Sequence, residues 1–127
     1  MTPRFDAIGM LVSDMAASLA FYRRLGLDLP PGADTEPHVE YRLPGGLRLM
    51  WDAGQDGAAA APAGPGRMSP CFLCDGPAEV DRVYAELTAA GYHGERAPWD
   101  AFWGQRYAVV RDPDGNDVGL FAWLKPE

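Results

Sequence analysis

The chain is poor in everything that would tie it to a membrane, a nucleic acid or the cell exterior. Among its 127 residues, no apolar run approaches the ~20 residues a membrane span requires. The opening, from Met1 to Asp6, carries an acid and no apolar signal core, so secretion is not expected. Basic residues are scarce: 11 Lys and Arg stand against 18 Asp and Glu, for a formal net charge of −7. Nucleic acids and anionic membranes are both bound by neutralising phosphates with Lys and Arg, so neither is an expected partner. An acidic balance serves solubility and also attracts cationic ligands. The 2 cysteines are expected as reduced thiols in a cytoplasmic protein. Histidine is equally rare. His38 and His93 lie beside loops or strand ends, without an evident Ser–His–Asp or Cys–His grouping in sequence, so a structural role is the default for each.

What is present suffices for a core. Hydrophobic residues make up 47% and charged residues 23%, and a single domain of this length buries roughly 65–70% of its unfolded surface. Residues 7–12 form a short apolar run, read as a strand, followed by Ser13 and Asp14 as capping candidates. Met15, Ser18, Leu19, Tyr22 and Leu25 then fall on one helical stripe that ends at Gly26. Residues 38–43 alternate as a half-buried strand, Pro44-Gly45-Gly46 makes a turn, and residues 47–51 return as its partner. Residues 53–66 contain no side chain large enough to anchor them and read as a flexible linker. The order then repeats. An apolar run over 68–74 leads to Asp75, with Pro77 suited to a first helical turn. Val80, Val83, Tyr84 and Leu87 make a helical stripe closed by Gly91. Strands are expected at 92–98, 106–111 and 118–123, with Asp112-Pro113-Asp114-Gly115-Asn116 as a turn. Strand, acid, helix, glycine stop, strands and hairpin occur twice, which predicts an α+β domain of two βαβββ modules, at about 4–52 and 67–124.

Two segments carry a family resemblance. The stretch Ile8 to Gly26, a strand followed by Ser13-Asp14, Ser18-Leu19, Phe21-Tyr22 and Leu25-Gly26-Leu27, resembles the opening of vicinal oxygen chelate proteins. Trp103-Gly104-Gln105-Arg106 followed by Asp112-Pro113-Asp114-Gly115-Asn116 is similar to that superfamily's second signature. Its members include glyoxalase I, fosfomycin-resistance proteins, extradiol dioxygenases and bleomycin-resistance proteins. The resemblance implies the glyoxalase/bleomycin-resistance fold, a curled mixed sheet around a cleft, and a homodimer. It also implies four strand positions that hold a metal in the enzymes, usually as His or Glu. Those positions map to Ala7, Met50, Ser69 and Gly119, where a methyl, a thioether, a hydroxyl and a hydrogen stand. Nearby donors are His38, Glu40 and Asp52, which make no matched set, so neither a metal nor another cofactor is expected.

Other features compete for a functional role. Cys71 and Cys74 form a Cys-x-x-Cys in an apolar strand, where residues three apart point to opposite faces. Two buried thiols packing as small apolar groups are expected there, in preference to a redox pair or half a zinc site. Trp99, Phe102 and Trp103 cluster in a loop-rich stretch, read either as a lid or contact surface or as a stacking wall for a flat or cationic ligand, with Asp100 as charge partner. Trp51, Tyr41 and Tyr107 on bordering strands, with Arg48, would complete an apolar pocket holding a few orienting polar groups. His38 and Glu40 are the candidates for a catalytic base. Three functions follow. The first is a metal-independent binder of an aromatic or cationic, antibiotic-like molecule, as in the bleomycin-resistance branch. The second is a glyoxalase-like lyase, transferase or dioxygenase with a non-standard metal site, and the third a metal-free isomerase or hydrolase.

Overall fold

A computed structural model describes residues 4–53 and 68–125. Apart from Ala53, the expected linker lies outside the described residues. The chain forms two compact units, Met1–Pro62 and Ala63–Glu127.

The first unit contains β1 (Ala7–Leu11), α1 (Met15–Arg24), a short 3-10 turn (Pro31–Thr35), β2 (His38–Arg42) and β3 (Arg48–Asp52). Asp14 caps α1 as expected: its carboxylate accepts from the Ala17 N–H at 3.1 Å, satisfying one of the orphan donors of the first turn. Arg23 and Arg24 occupy the last turn, where the helix dipole favours cations. Arg23 then reaches on to the Leu29 and Pro30 carbonyls, at 2.8 and 2.9 Å, and to Asp34, tying down the chain that leaves the helix. The β2–β3 turn closes through Leu43 N–H to Leu47 carbonyl at 2.7 Å, with Gly46 at φ 102°, a left-handed conformation that glycine adopts without strain. The strands lie in the order β1-β3-β2, β1 parallel and β2 antiparallel to β3. Val39, Leu49 and Trp51 are buried with Leu19, Phe21 and Tyr22 of α1, and the Tyr22 and Trp51 rings meet edge-on at 5.5 Å. Between α1 and β2 the chain makes the 3-10 turn, so the described residues of this unit form three strands.

The second unit contains β4 (Cys71–Leu73), α2 (Pro77–Ala89), β5 (Gly94–Ala101), β6 (Gln105–Arg111) and β7 (Asp117–Trp123). Its strand order is β4-β7-β6-β5. With β4 matched to β1, β7 to β3 and β6 to β2, this order reproduces that of the first unit and adds β5 at the edge; the parallel and antiparallel pairings agree as well. The duplication read from punctuation is thus present in topology, with the full βαβββ pattern in the second unit. Asp75 does not cap α2. Gly76 holds the cap position without a side-chain bond, and the Glu79 carboxylate instead accepts from the Asp75 N–H at 2.7 Å. The Asp112 turn is structural, its carboxylate accepting from the Asp114 and Asn116 N–H groups at 3.0 and 2.9 Å. Strand alternation sends Ala108, Val110, Val118, Leu120 and Ala122 to the buried face, with Val80 and Leu87 of α2. The stretch expected as a loop around Trp99 is strand: β5 runs through Ala101, with register shifts at Arg96 and on the way to Trp99. It accommodates Pro98 because it lies at the sheet edge.

Candidate functional site

Each sheet covers one face with its own helix and leaves the other face open, and the two open faces differ in chemistry. In the first unit, paired residues side by side on one face are Ala7 with Arg48, Gly9 with Met50, Glu40 with Met50, and His38 with Asp52. Five ionisable side chains link up along that face. Arg48 bonds Asp6 and the Glu40 carboxylate, the latter at 2.6 Å. Glu40 accepts from His38 Nε2 at 2.7 Å, and His38 Nδ1 lies 2.6 Å from the Asp52 carboxylate. The Glu40 bond, and then the Asp52 bond, raise the His38 pKa above its usual 6.5; His38 and Arg48 together lower that of Glu40.

This arrangement bears on the reading of His38 and Glu40 as candidates for a catalytic base. Each ring nitrogen of His38 faces a carboxylate oxygen, so satisfying both requires two N–H donors and hence the imidazolium. An imidazolium has no lone pair with which to take a proton. Glu40 has one oxygen on His38 and the other on Arg48, and these two donors lower its basicity.

Tyr41 and Trp51 lie on the other face of the sheet. Tyr41 pairs with Leu49, and Val39 with Trp51, on the helix-covered face. Trp51 is fully buried, with 0% exposure, and therefore packs the core. Only Arg48, of the residues expected to line a pocket on these strands, lies on the open face with Glu40.

The open face of the second sheet is aromatic. Tyr107 sits at its centre, 5.6 Å from the Trp99 ring, 5.7 Å from Trp103, and stacked at 6.3 Å on Phe121. Trp99 and Trp103 meet edge-on at 6.0 Å, Phe102 meets Trp103 at 5.1 Å, and Phe121 leads to Trp123. Phe102 is 96% exposed, and Trp103 and Trp123 about half. The Arg96 guanidinium lies 3.8 Å from the Trp99 ring centre, a cation–π contact within the chain. Trp103 Nε1 donates to Gln105 at 2.8 Å. Four of the proposed ligand residues, Trp99, Phe102, Trp103 and Tyr107, are therefore gathered on one surface. Asp100 is not among them: it pairs at 3.0 Å with Arg106, which also bonds Asp81 of α2, so it belongs to the helix side.

Sequence reasoning missed Phe121, Trp123, Arg96 and Cys71. The expectation of two buried thiols holds for Cys74 alone; Cys71 is exposed, and both are free. Burial drives the Cys74 thiol up to about 11. Cys71 Sγ lies 3.2 Å from the Tyr107 hydroxyl. Burial, followed by this thiol contact, pushes the Tyr107 phenol up to about 12.

The four positions that the resemblance assigns to metal ligands carry no matched set of donors. Ala7 has no donor, and Met50 offers only a thioether. The Ser69 hydroxyl donates to the Asp117 carbonyl at 2.8 Å. At Gly119 a Cβ would stand 2.4 Å from the Tyr107 hydroxyl oxygen and 3.0 Å from Cys71 Sγ, so the space for a ligand side chain is filled. Glu40 and Asp52 sit on opposite edges of the His38 ring and do not converge on one point. Among the described residues no group of three or more His, Cys, Asp or Glu is placed to hold an ion.

With this fold and these faces in view, comparison with known proteins defines the class. The model of the Glyoxalase/Bleomycin resistance protein/Dioxygenase superfamily matches residues 4–120, and the chain belongs to that superfamily. Solved structures share the fold. A glyoxalase/bleomycin resistance protein/dioxygenase family enzyme from Burkholderia phytofirmans PsJN superposes with a TM-score of 0.77 at 18% identity, over 96% of this chain and 100% of that one. A glyoxalase-related enzyme from Fulvimarina pelagi gives 0.76 at 23% identity, over 95% and 88%. A glyoxalase/bleomycin resistance protein/dioxygenase from Nocardioides gives 0.72 at 24% identity, over 100% and 87%. No curated protein matches the chain. Among the described residues no helix is long and apolar enough to cross a membrane.

Proposed function

We propose that this chain is a metal-independent small-molecule binding protein, taking a flat aromatic or cationic ligand on the aromatic face of the second sheet. The observation that carries the reading is the continuous open surface of Trp99, Phe102, Trp103, Tyr107, Phe121 and Trp123. Exposed aromatics in such number are unusual on a soluble surface and supply stacking area at little conformational cost. Arg96 already rests on one face of Trp99, so the remaining rings offer the stacking area. A charge of −7 favours the approach of a cation. The Tyr107 hydroxyl and Gln105 add polar groups able to orient the ligand.

Titration of tryptophan fluorescence with ethidium and with phenyltrimethylammonium tests this. Saturable quenching is expected, and Trp99→Ala or Trp103→Ala each weakens binding by about tenfold, the equivalent of one desolvated aromatic contact. Absence of saturation with either probe, or affinities unchanged in both variants, would sink the reading. Homodimerisation belongs to the same proposal, and sedimentation velocity of the purified chain checks it: a monomer at micromolar concentration removes that part.

A further inference from the structure

A depression of about 500 Å³ lies in the first unit where the segment entering β1 passes the β2–β3 turn, lined by Arg4, Phe5, Arg42, Gly45, Gly46 and Leu47. Its size is that of a small-ligand site. The charge within it is the unusual part. In this acidic chain Arg23, Arg48, Arg82, Arg106 and Arg111 each face a carboxylate, and Arg96 rests on a tryptophan. Among the described residues, Arg4 and Arg42 have no carboxylate partner. Arg42 donates to the Gly46 carbonyl at 2.8 Å, and Arg4 has no hydrogen bond or ion pair among the described residues. The one acid that also lines the depression, Asp6, is bound by Arg48. Two guanidiniums without a carboxylate partner thus share one hollow with a phenylalanine that is 70% exposed. Side chains at Gly45 and Gly46 would meet nothing within 4 Å, so the turn leaves that rim open.

We propose that this hollow is a second binding site, for a small organic anion: a carboxylate or phosphate monoester carrying an apolar group. The guanidiniums of Arg4 and Arg42 supply forked, charge-assisted donors for the anion, and Phe5 and Leu47 pack against the apolar part. The site shares no residue with the aromatic face of the second sheet, so each stands or falls separately.

The test is a series of ¹H–¹⁵N NMR titrations of the full chain with inorganic phosphate, phenyl phosphate and benzoate at constant ionic strength, with sodium chloride as control. Saturable shifts at the amides of Asp6, Gly45, Gly46 and Leu47 are expected, tighter for phenyl phosphate than for inorganic phosphate. Response to phenyl phosphate or to benzoate identifies which anion the site prefers, and either supports the proposal. Arg42→Gln and Arg4→Gln each weaken binding about tenfold, as loss of one charge-assisted contact does, and leave distant resonances in place. The proposal is overturned if the shifts grow linearly and chloride reproduces them, or if both variants bind as the parent does.

Discussion

At the scale of single residues, protonation and access decide what each group does. His38 illustrates this, because its two carboxylate neighbours raise its pKa above 6.5 in the folded chain. A group with a raised folded pKa contributes stability in full below its unfolded value and loses it as pH rises through the elevated folded value. Glu40, with its pKa lowered from 4.5, behaves in reverse: its contribution is present above that value and lost as pH falls through the lowered one. The ladder is therefore most effective between about pH 4.5 and 6.5. NMR titration of the His38 ring should give a midpoint above 6.5. In His38→Gln, melting temperature should lose the part of its fall above that pH that the imidazole causes; a midpoint at or below 6.5 would contradict the bridged imidazolium. The cysteines separate by access in the same way. Cys71 is exposed, whereas Cys74 is buried with its thiol pushed up to about 11, so a disulfide reagent at pH 8 should modify one thiol per native chain and two after denaturation. Cys71→Ser should abolish the native reaction.

At the scale of elements, close packing between β4, β6 and β7 leaves little room for a side chain at Gly119. Any Cβ there meets the Tyr107 hydroxyl oxygen at 2.4 Å and its ring carbon at 3.0 Å. Gly119→Ala should cost about 1–3 kcal/mol in urea denaturation, as overpacking does, despite the gain in strand propensity. In a Tyr107→Phe background the cost should fall by about 0.5 kcal/mol or more, because the two sites are in contact. Equal costs in both backgrounds would show that the hydroxyl is not the obstacle. Much of the element structure was legible: Asp14 as a cap, Gly46 in its turn and the stripe of α2 all rest on local chemistry that neighbours do not override. The faces were only half legible. Alternation along β2 and β3 separates Tyr41 from Glu40, but which face a helix covers is set by tertiary packing. Some contacts could have been reached by counting. Mirror pairing about Gly45 places His38 opposite Asp52, and mirror pairing about Asp114 places Tyr107 opposite Phe121. The Cys71–Tyr107 contact was out of reach, since it depends on the parallel pairing of β4 with β7, which no local signal announces. Trp99 in a strand was hidden by Pro98, a residue that argues against strands except at an edge.

At the scale of the whole molecule, the chain keeps the superfamily fold, and the four positions that the resemblance assigns to metal ligands carry no matched donor set in either unit. In the first unit, Ala7 has no donor, Met50 offers a thioether, and His38 bridges Glu40 and Asp52. In the second, Ser69 bonds a backbone carbonyl and Tyr107 with Cys71 fills the space at Gly119. A ligand that binds only the folded state stabilises it by about 2.7 kcal/mol when present at one hundred times its dissociation constant. If no ion is held, that term is missing from thermal stability. Protein purified from cells and passed through a metal-free buffer should therefore carry far less than one equivalent of zinc, nickel, manganese or iron by elemental analysis. Its melting temperature should be the same with EDTA as with an excess of any of these ions, and ethidium binding should be equally indifferent. Because Tyr107 occupies the space, Gly119→Glu alone should remain metal-free. One equivalent of a divalent ion, together with a melting temperature that falls on chelation, would show that donors outside the described residues complete a site and that the aromatic face works beside a metal.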